Sequence, residues 1–93
     1  MIATTIKYGM CVRLTADYNI DIGTVNYEVY CFGYEHSGSV AARTTFEFNH
    51  FGPAAKVYKS ISSRIEDGNL TNEFMRNLVA GARAMGYNVK EVA

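Results

Sequence analysis

The spacing of apolar residues changes near residue 50 of this sequence, and that change constrains the fold more than any other feature. Before it, apolar and polar residues alternate, as they do in half-buried β-strands. After it, apolar residues recur every three or four positions, as they do on amphipathic helices. Strands followed by helices predict an α+β domain with the helices on one face of an antiparallel sheet. At 93 residues, the chain suits one domain over residues 1–93.

Alternation predicts three strands in the first half of the chain, at residues 2–14, 24–34 and 40–49. A stretch rich in Asp, Asn and Gly over residues 15–23 is expected to join the first two strands as a long hairpin loop. Residues 35–39 form a tight connection to the third strand. The predicted arrangement is an antiparallel meander.

Two helices and a short last strand are predicted in the second half. Pro53 favours the start of the first helix, because proline there loses no needed hydrogen bond, and Gly68 suits its left-handed C-terminal cap. Asn69 or Thr71 can cap the second helix, which a later glycine ends. Residues 87–92 form the last strand. The predicted order is therefore β-β-β-α-α-β, a three- to four-stranded antiparallel sheet with two helices packed on one face.

Two helices on one face leave the opposite face of the sheet open to water or to a partner. If Leu14 and Val25 both point inward and pair across the first hairpin, the strand phases fix which residues point outward. Three aromatic residues of the second strand then point outward, with arginine beside them. Aromatic residues and arginine dominate the energetics of protein interfaces. The predicted partner-binding residues are Tyr30, Phe32, Tyr34, Arg43, Lys7 and Arg13.

Other interpretations of the aromatic run stay open. In one, cross-strand aromatic pairs only stabilise the sheet, by roughly 0.2–1 kcal/mol each. In another, the C-terminal segment of the chain covers the rings. A homodimer through the open face is a further form of the protein-binding hypothesis. Single-stranded nucleic acid or a nucleotide stacked on the rings is the alternative to a protein partner.

Net charge, the two cysteines and the lack of targeting features bear on the partners and the cellular location of the protein. Nine basic residues offset nine acidic ones, so non-specific binding to nucleic acid is not expected. Cys11 and Cys31 are predicted to point to opposite faces of the sheet, which argues against a disulfide between them. The first residues lack the features of a signal peptide, and no stretch approaches the ~20 apolar residues of a membrane span. These features predict a cytoplasmic protein with free thiols and no membrane association.

No motif in the sequence supports catalysis, a metal or a cofactor. Residues 17–28 place Asp and Asn at alternate positions, as an EF-hand loop does, but Ile22 stands where that loop needs glycine. His36 and His50 lack the spacing to a nucleophile or to further metal ligands. A small hydrolase that uses both histidines would need them beside one cleft. The sequence therefore predicts a non-enzymatic protein without metal or cofactor.

Residues 37–43 read SGSVAAR, a turn that leads into a strand, and they resemble a stretch found among the anti-CRISPR proteins, small inhibitors that phages encode against bacterial defence. The size of the chain and its β-meander followed by two helices are also similar to a member that acts on a type I surveillance complex. The resemblance implies an inhibitor that blocks its target in the host cytoplasm. It also implies contacts at Tyr30, Phe32, Tyr34 and Arg43. The balanced charge differs from acidic members, which argues against DNA mimicry.

Overall fold

The computed structural model describes residues 1–33 and 43–92 as a five-stranded antiparallel sheet with two helices. In chain order the elements are β1 (Ala3–Lys7), β2 (Met10–Asn19), β3 (Thr24–Gly33), β4 (Arg43–Phe48), α1 (Phe51–Glu66), α2 (Asn72–Ala84) and β5 (Asn88–Val92). The strands lie side by side in that same order, and each pairs antiparallel with the next. The α+β class, the antiparallel sheet and the two helices are confirmed. The prediction of three to four strands is wrong, because the sheet has five.

The strand that the prediction missed is β1, because residues 2–14 form a hairpin and not a single strand. Tyr8 (φ 52°) and Gly9 (φ 75°) make its two-residue turn, with Lys7 opposite Met10. Positive φ at both central residues is the geometry of a type I′ turn, which matches the twist of the flanking strands. Two residues are one full period of the alternation, so the pattern runs through the turn unbroken.

Because of this turn, the side chains of β1 point to the faces opposite to those that the alternation predicted. Paired residues of the hairpin have numbers with an odd sum, as in Thr5 opposite Val12, so odd positions of β1 share a face with even positions of β2. Ile2 and Ile6, predicted to point inward, lie away from the helices and are 48% and 53% exposed. Lys7, predicted to point outward, lies on the face that the helices cover. Both expectations for these side chains are therefore wrong.

β2 continues past the predicted end at residue 14 to Asn19 and leaves only residues 20–23 as its connection to β3. Leu14 pairs with Val29 and not with Val25. The shift along β3 is an even number of residues, so the predicted faces of β2 and β3 are unchanged. The connection predicted at residues 35–39 lies outside the described residues.

One hydrophobic core fills the space between the helices and one face of the sheet, which we call the helix side. Phe46 of β4 and Ile61 and Ile65 of α1 are its largest fully buried side chains. The buried residues of α2 are Met75, Val79 and Ala82. Burial of these apolar side chains holds both helices to the same face. Neither of the two described helices is long and apolar enough to cross a membrane.

Thr71, and not Asn69, caps α2. Its Oγ1 accepts a hydrogen bond from the Phe74 amide at 3.1 Å. Thr71→Ala removes this acceptor, so the free energy of unfolding should fall by about 1 kcal/mol. Thr71→Ser keeps the hydroxyl and should retain most of that stability. Urea denaturation of both variants measures the difference, and an alanine variant as stable as the wild type would show that this cap contributes nothing.

Candidate functional site

The candidate site is the outer face of the sheet, opposite the helix side, because no described helix packs on it. Its side chains form three rows that run across the strands. Starting beside the first turn, the rows are Ile6–Cys11–Phe32, then Thr4–Arg13–Tyr30–Thr45–Lys90, then Thr15–Glu28–Glu47–Asn88. The outer face therefore changes from apolar at one end to acidic at the other.

Tyr30, Phe32 and Arg13 form a contiguous group where the first two rows meet, and we call them the aromatic patch. The ring centroids of Tyr30 and Phe32 lie 4.9 Å apart, with the ring planes tilted by 31°. The guanidinium carbon of Arg13 lies 5.3 Å from the centroid of the Phe32 ring, within cation–π range. All three residues are half-buried. These mutual contacts hold the three side chains in one arrangement.

The other predicted partner-binding residues have different positions. Arg43 is exposed at the start of β4 and shares the phase of Thr45, so it lies on the outer face. Lys7 lies on the helix side, where its Nζ donates a hydrogen bond to the Glu66 carbonyl oxygen at 3.2 Å. Tyr34 lies outside the described residues. The structure thus groups three of the six predicted residues and places a fourth on the same face.

β1 adds to the outer face two residues that sequence reasoning had placed inward, Thr4 and Ile6. Between Ile6 and Phe32, Cys11 is completely buried, and its Sγ lies 3.9 Å from Thr4 Oγ1. The signal that could have revealed this arrangement is Gly9, a glycine in the middle of an alternating run. The outer face is therefore wider than predicted, and the middle of its first row is closed to solvent.

The third row places negative charge beside the aromatic patch. Glu28 and Glu47 stand directly opposite each other on β3 and β4, and like charges in such a pair are destabilising. Glu47 accepts hydrogen bonds from Lys90 Nζ at 2.9 Å and from Asn88 Nδ2 at 2.8 Å, and these bonds lower the pKa of its carboxyl group. The contact with Glu47 also raises the pKa of Lys90. Both groups are therefore charged near neutral pH.

Two cavities of the described chain lie away from the aromatic patch. One, of about 540 Å³, is a mainly apolar groove between α1 and α2 on the helix side, with Gly81 and Lys56 in its wall. The other, of about 330 Å³, is polar and lies at the far end of the sheet near Gly86. No residue of the aromatic patch lines either cavity.

The cysteines and histidines are the side chains that the sequence offered as reactive groups. Both cysteines are buried and free, on opposite faces as predicted. Burial raises the pKa of the Cys31 thiol to about 12, with a smaller contribution from Cys11. No group of three or more His, Cys, Asp or Glu in the described chain could hold a metal ion. His50 is exposed before α1, and His36 lies outside the described residues, so the two-histidine hypothesis stays a prediction.

No relative helps to interpret this surface. Comparisons with protein-family models, with curated proteins and with solved structures find no match to this chain. The anti-CRISPR resemblance therefore stays a prediction. Support for a partner has to come from the side chains of the outer face themselves.

Proposed function

We propose that the protein binds another protein through the aromatic patch and acts without catalysis, metal or cofactor. The observation that carries this proposal is the Tyr30–Phe32 ring pair, half-buried on a sheet face that no described helix covers, with Arg13 against it. Aromatic and arginine side chains form most interface hot spots, because they bury a large area when a partner excludes water from them. An ordered group of this composition is suited to be such a hot spot.

A protein partner fits the outer face better than nucleic acid does. Glu28 places an exposed carboxylate in the row next to the patch, where it would repel phosphates. The chain has no net charge that would attract a polyanion. Small ligands bind in concave sites, and the patch lines neither of the two cavities described above, so it suits a macromolecular partner more than a small ligand. We therefore favour a partner that offers an apolar pocket to the rings and a basic group to the exposed Glu28.

The resemblance to anti-CRISPR proteins supports a more specific form of this proposal. In that form the protein is a phage-encoded inhibitor in the cytoplasm of a bacterial host, and its target is a type I surveillance complex. Binding would cover a functional surface of the complex, and Arg13 and Arg43 would pair with carboxylates of the target. Inhibition would then be stoichiometric, since the inhibitor carries out no reaction.

Tyr30→Ala should weaken binding to a purified type I surveillance complex by about 30-fold, which corresponds to ~2 kcal/mol. The loss follows from removing one ring of the pair and the apolar area that the partner would bury. Phe32→Ala should weaken binding in the same direction, because it removes the second ring and the cation–π contact with Arg13. Biolayer interferometry with immobilised complex measures both affinities.

Tyr18→Ala is the matched control, because Tyr18 is a 60% exposed tyrosine of β2 on the opposite face of the sheet. Its affinity should equal that of the wild type, and circular dichroism should show that all variants are folded. Equal affinities for Tyr30→Ala, Phe32→Ala and wild type would contradict the patch. A wild-type protein that does not bind the complex would contradict the inhibitor role. Salt-dependent binding of a single-stranded oligonucleotide, lost in Tyr30→Ala, would favour the nucleic-acid alternative.

A further inference from the structure

The two edges of the sheet differ in how they are protected against further strand pairing. β5, at one edge, carries Lys90 and Glu91, and charged side chains are a common protection of sheet edges. β1, at the other edge, has no charged residue before Lys7, and Ile6 within it and Ile2 just before it are about half exposed. Of the two edges, β1 is therefore the one suited to pair with another strand.

The backbone groups of β1 that face this open edge follow from the hairpin turn. Lys7 and Met10 flank a two-residue turn, so they form the closing hydrogen-bonded pair of the hairpin. Hydrogen-bonded and non-hydrogen-bonded pairs then alternate along the strands. Thr5 consequently directs its N–H and C=O to β2, while Thr4 and Ile6 direct theirs to the open edge.

Helix α1 places two opposite charges beside the same edge. The hydroxyl oxygens of Ser62 and Thr5 lie 2.7 Å apart, so this flank of α1 lies over β1. Lys59 and Glu66 are exposed on that flank, about one turn before and one turn after Ser62. Arg64 lies on the opposite flank, against a ring of α2. The flank of α1 over the open edge thus carries Lys59 and Glu66 on either side of Ser62, and Lys7 of β1 lies beside Glu66.

We propose that a second copy of this chain pairs with β1, so that the two sheets join across a two-fold axis at Thr5. The paired β1 strands run antiparallel, and Thr4 of each copy exchanges N–H···O bonds with Ile6 of the other. This register uses the open-edge groups of both residues in both copies. The axis stands perpendicular to the sheet, so both outer faces lie on the same side of the joined sheet.

The charges of α1 complement themselves in this arrangement. Thr5 precedes Lys7 along β1, and the residues that they contact on α1, Ser62 and Glu66, come in the same order. α1 therefore runs in the same direction as β1. The two α1 helices therefore run antiparallel on either side of the axis. Lys59 of each copy then lies beside Glu66 of the other. This self-complementary pairing selects a second copy over an unrelated strand.

Sedimentation velocity of the wild type, from micromolar concentrations to about 1 mM, should show a reversible monomer–dimer equilibrium, as a short interface gives weak association. Ile6→Lys places a charge at the joined edge and should raise the dimer Kd by at least about tenfold. Val92→Lys makes the same kind of change at an exposed apolar position of β5 and should leave the Kd unchanged. Circular dichroism verifies that each variant is folded.

Charge reversal tests the register. Lys59→Glu turns both interhelical contacts repulsive and should raise the Kd by about tenfold. The double variant Lys59→Glu, Glu66→Lys should restore it. Tyr30→Ala should leave dimerisation unchanged, which separates this surface from the aromatic patch. A wild type that is monomeric at every concentration, or a dimer that neither Ile6→Lys nor Lys59→Glu weakens, would overturn the proposal.

Discussion

Phe46→Ala should lower the free energy of unfolding by about 4 kcal/mol. Phe46 has no exposed surface, and it stands between Val29 of β3 and Val89 of β5 on the helix side. Its ring also stacks on Phe48, with 6.4 Å between centroids and 11° between planes. Removing the ring takes away buried apolar area and leaves a cavity, because neighbours held in three paired strands cannot close in on it.

Urea denaturation followed by circular dichroism measures this loss, and two further variants make it interpretable. Phe51→Ala removes the same side chain from a position that is 49% exposed and should cost no more than about 1 kcal/mol. Phe46→Leu keeps most of the buried volume and should cost about 1.5 kcal/mol, so it should fold even if the alanine variant does not. Equal losses for Phe46→Ala and Phe51→Ala would mean that the core is not centred on β4.

The helices could be predicted because their burial pattern depends only on local spacing. Ala54, Ile61 and Ile65 recur at helical intervals, and all three are buried against the sheet. The faces of β2 and β3 could be predicted for a similar reason. Pairing Leu14 with Val25 instead of Val29 shifts β3 along its length by an even number of residues, so each side chain stays on the same face of the sheet. Features that depend only on the spacing of apolar residues could therefore be predicted from the sequence.

The hairpin at residues 8–9 was hard to predict, because its turn leaves the period intact and Gly9 alone signals it. Type I′ turns are usually recognised by Asn or Asp before glycine, and here Tyr8 occupies that position with φ 52°. A tyrosine with positive φ is uncommon, so the dipeptide carries a weak signal. One missed turn was enough to misplace Ile6 and Lys7 and to hide an edge strand.

The candidate site could be predicted where it depends on strand phase and not where it depends on register. Tyr30 and Phe32 are on the outer face because their phase in β3 requires it. That Arg13 stands opposite Tyr30 and against Phe32 depends on register, which the lengths of β2 and its turn decide. Composition and phase thus identified the rings, while tertiary pairing selected the cation that accompanies them.

The stability of the fold should fall steeply above pH 9 because of Cys31. Burial on the helix side of β3 disfavours its thiolate and raises the thiol pKa from 9.0 to about 12. Between these two values the unfolded chain loses the proton and the folded chain keeps it. The free energy of unfolding then decreases by about 1.4 kcal/mol per pH unit, to a total of about 4 kcal/mol near pH 12. Below pH 9 this contribution is fully present and does not vary.

Cys31→Val isolates this effect, because valine fills a similar apolar volume and does not titrate. The stability of Cys31→Val relative to the wild type should be constant up to about pH 9 and should rise by nearly 3 kcal/mol by about pH 11. Phe46→Leu is less stable but retains the thiol, so its free energy of unfolding should decrease with pH as steeply as that of the wild type. A difference in pH dependence therefore cannot come from a loss of stability alone. Parallel pH profiles for Cys31→Val and the wild type would mean that the thiol ionises as readily in the folded protein as in the unfolded chain. Burial between Val12 and Thr44 in the sheet would then impose no cost on its charge.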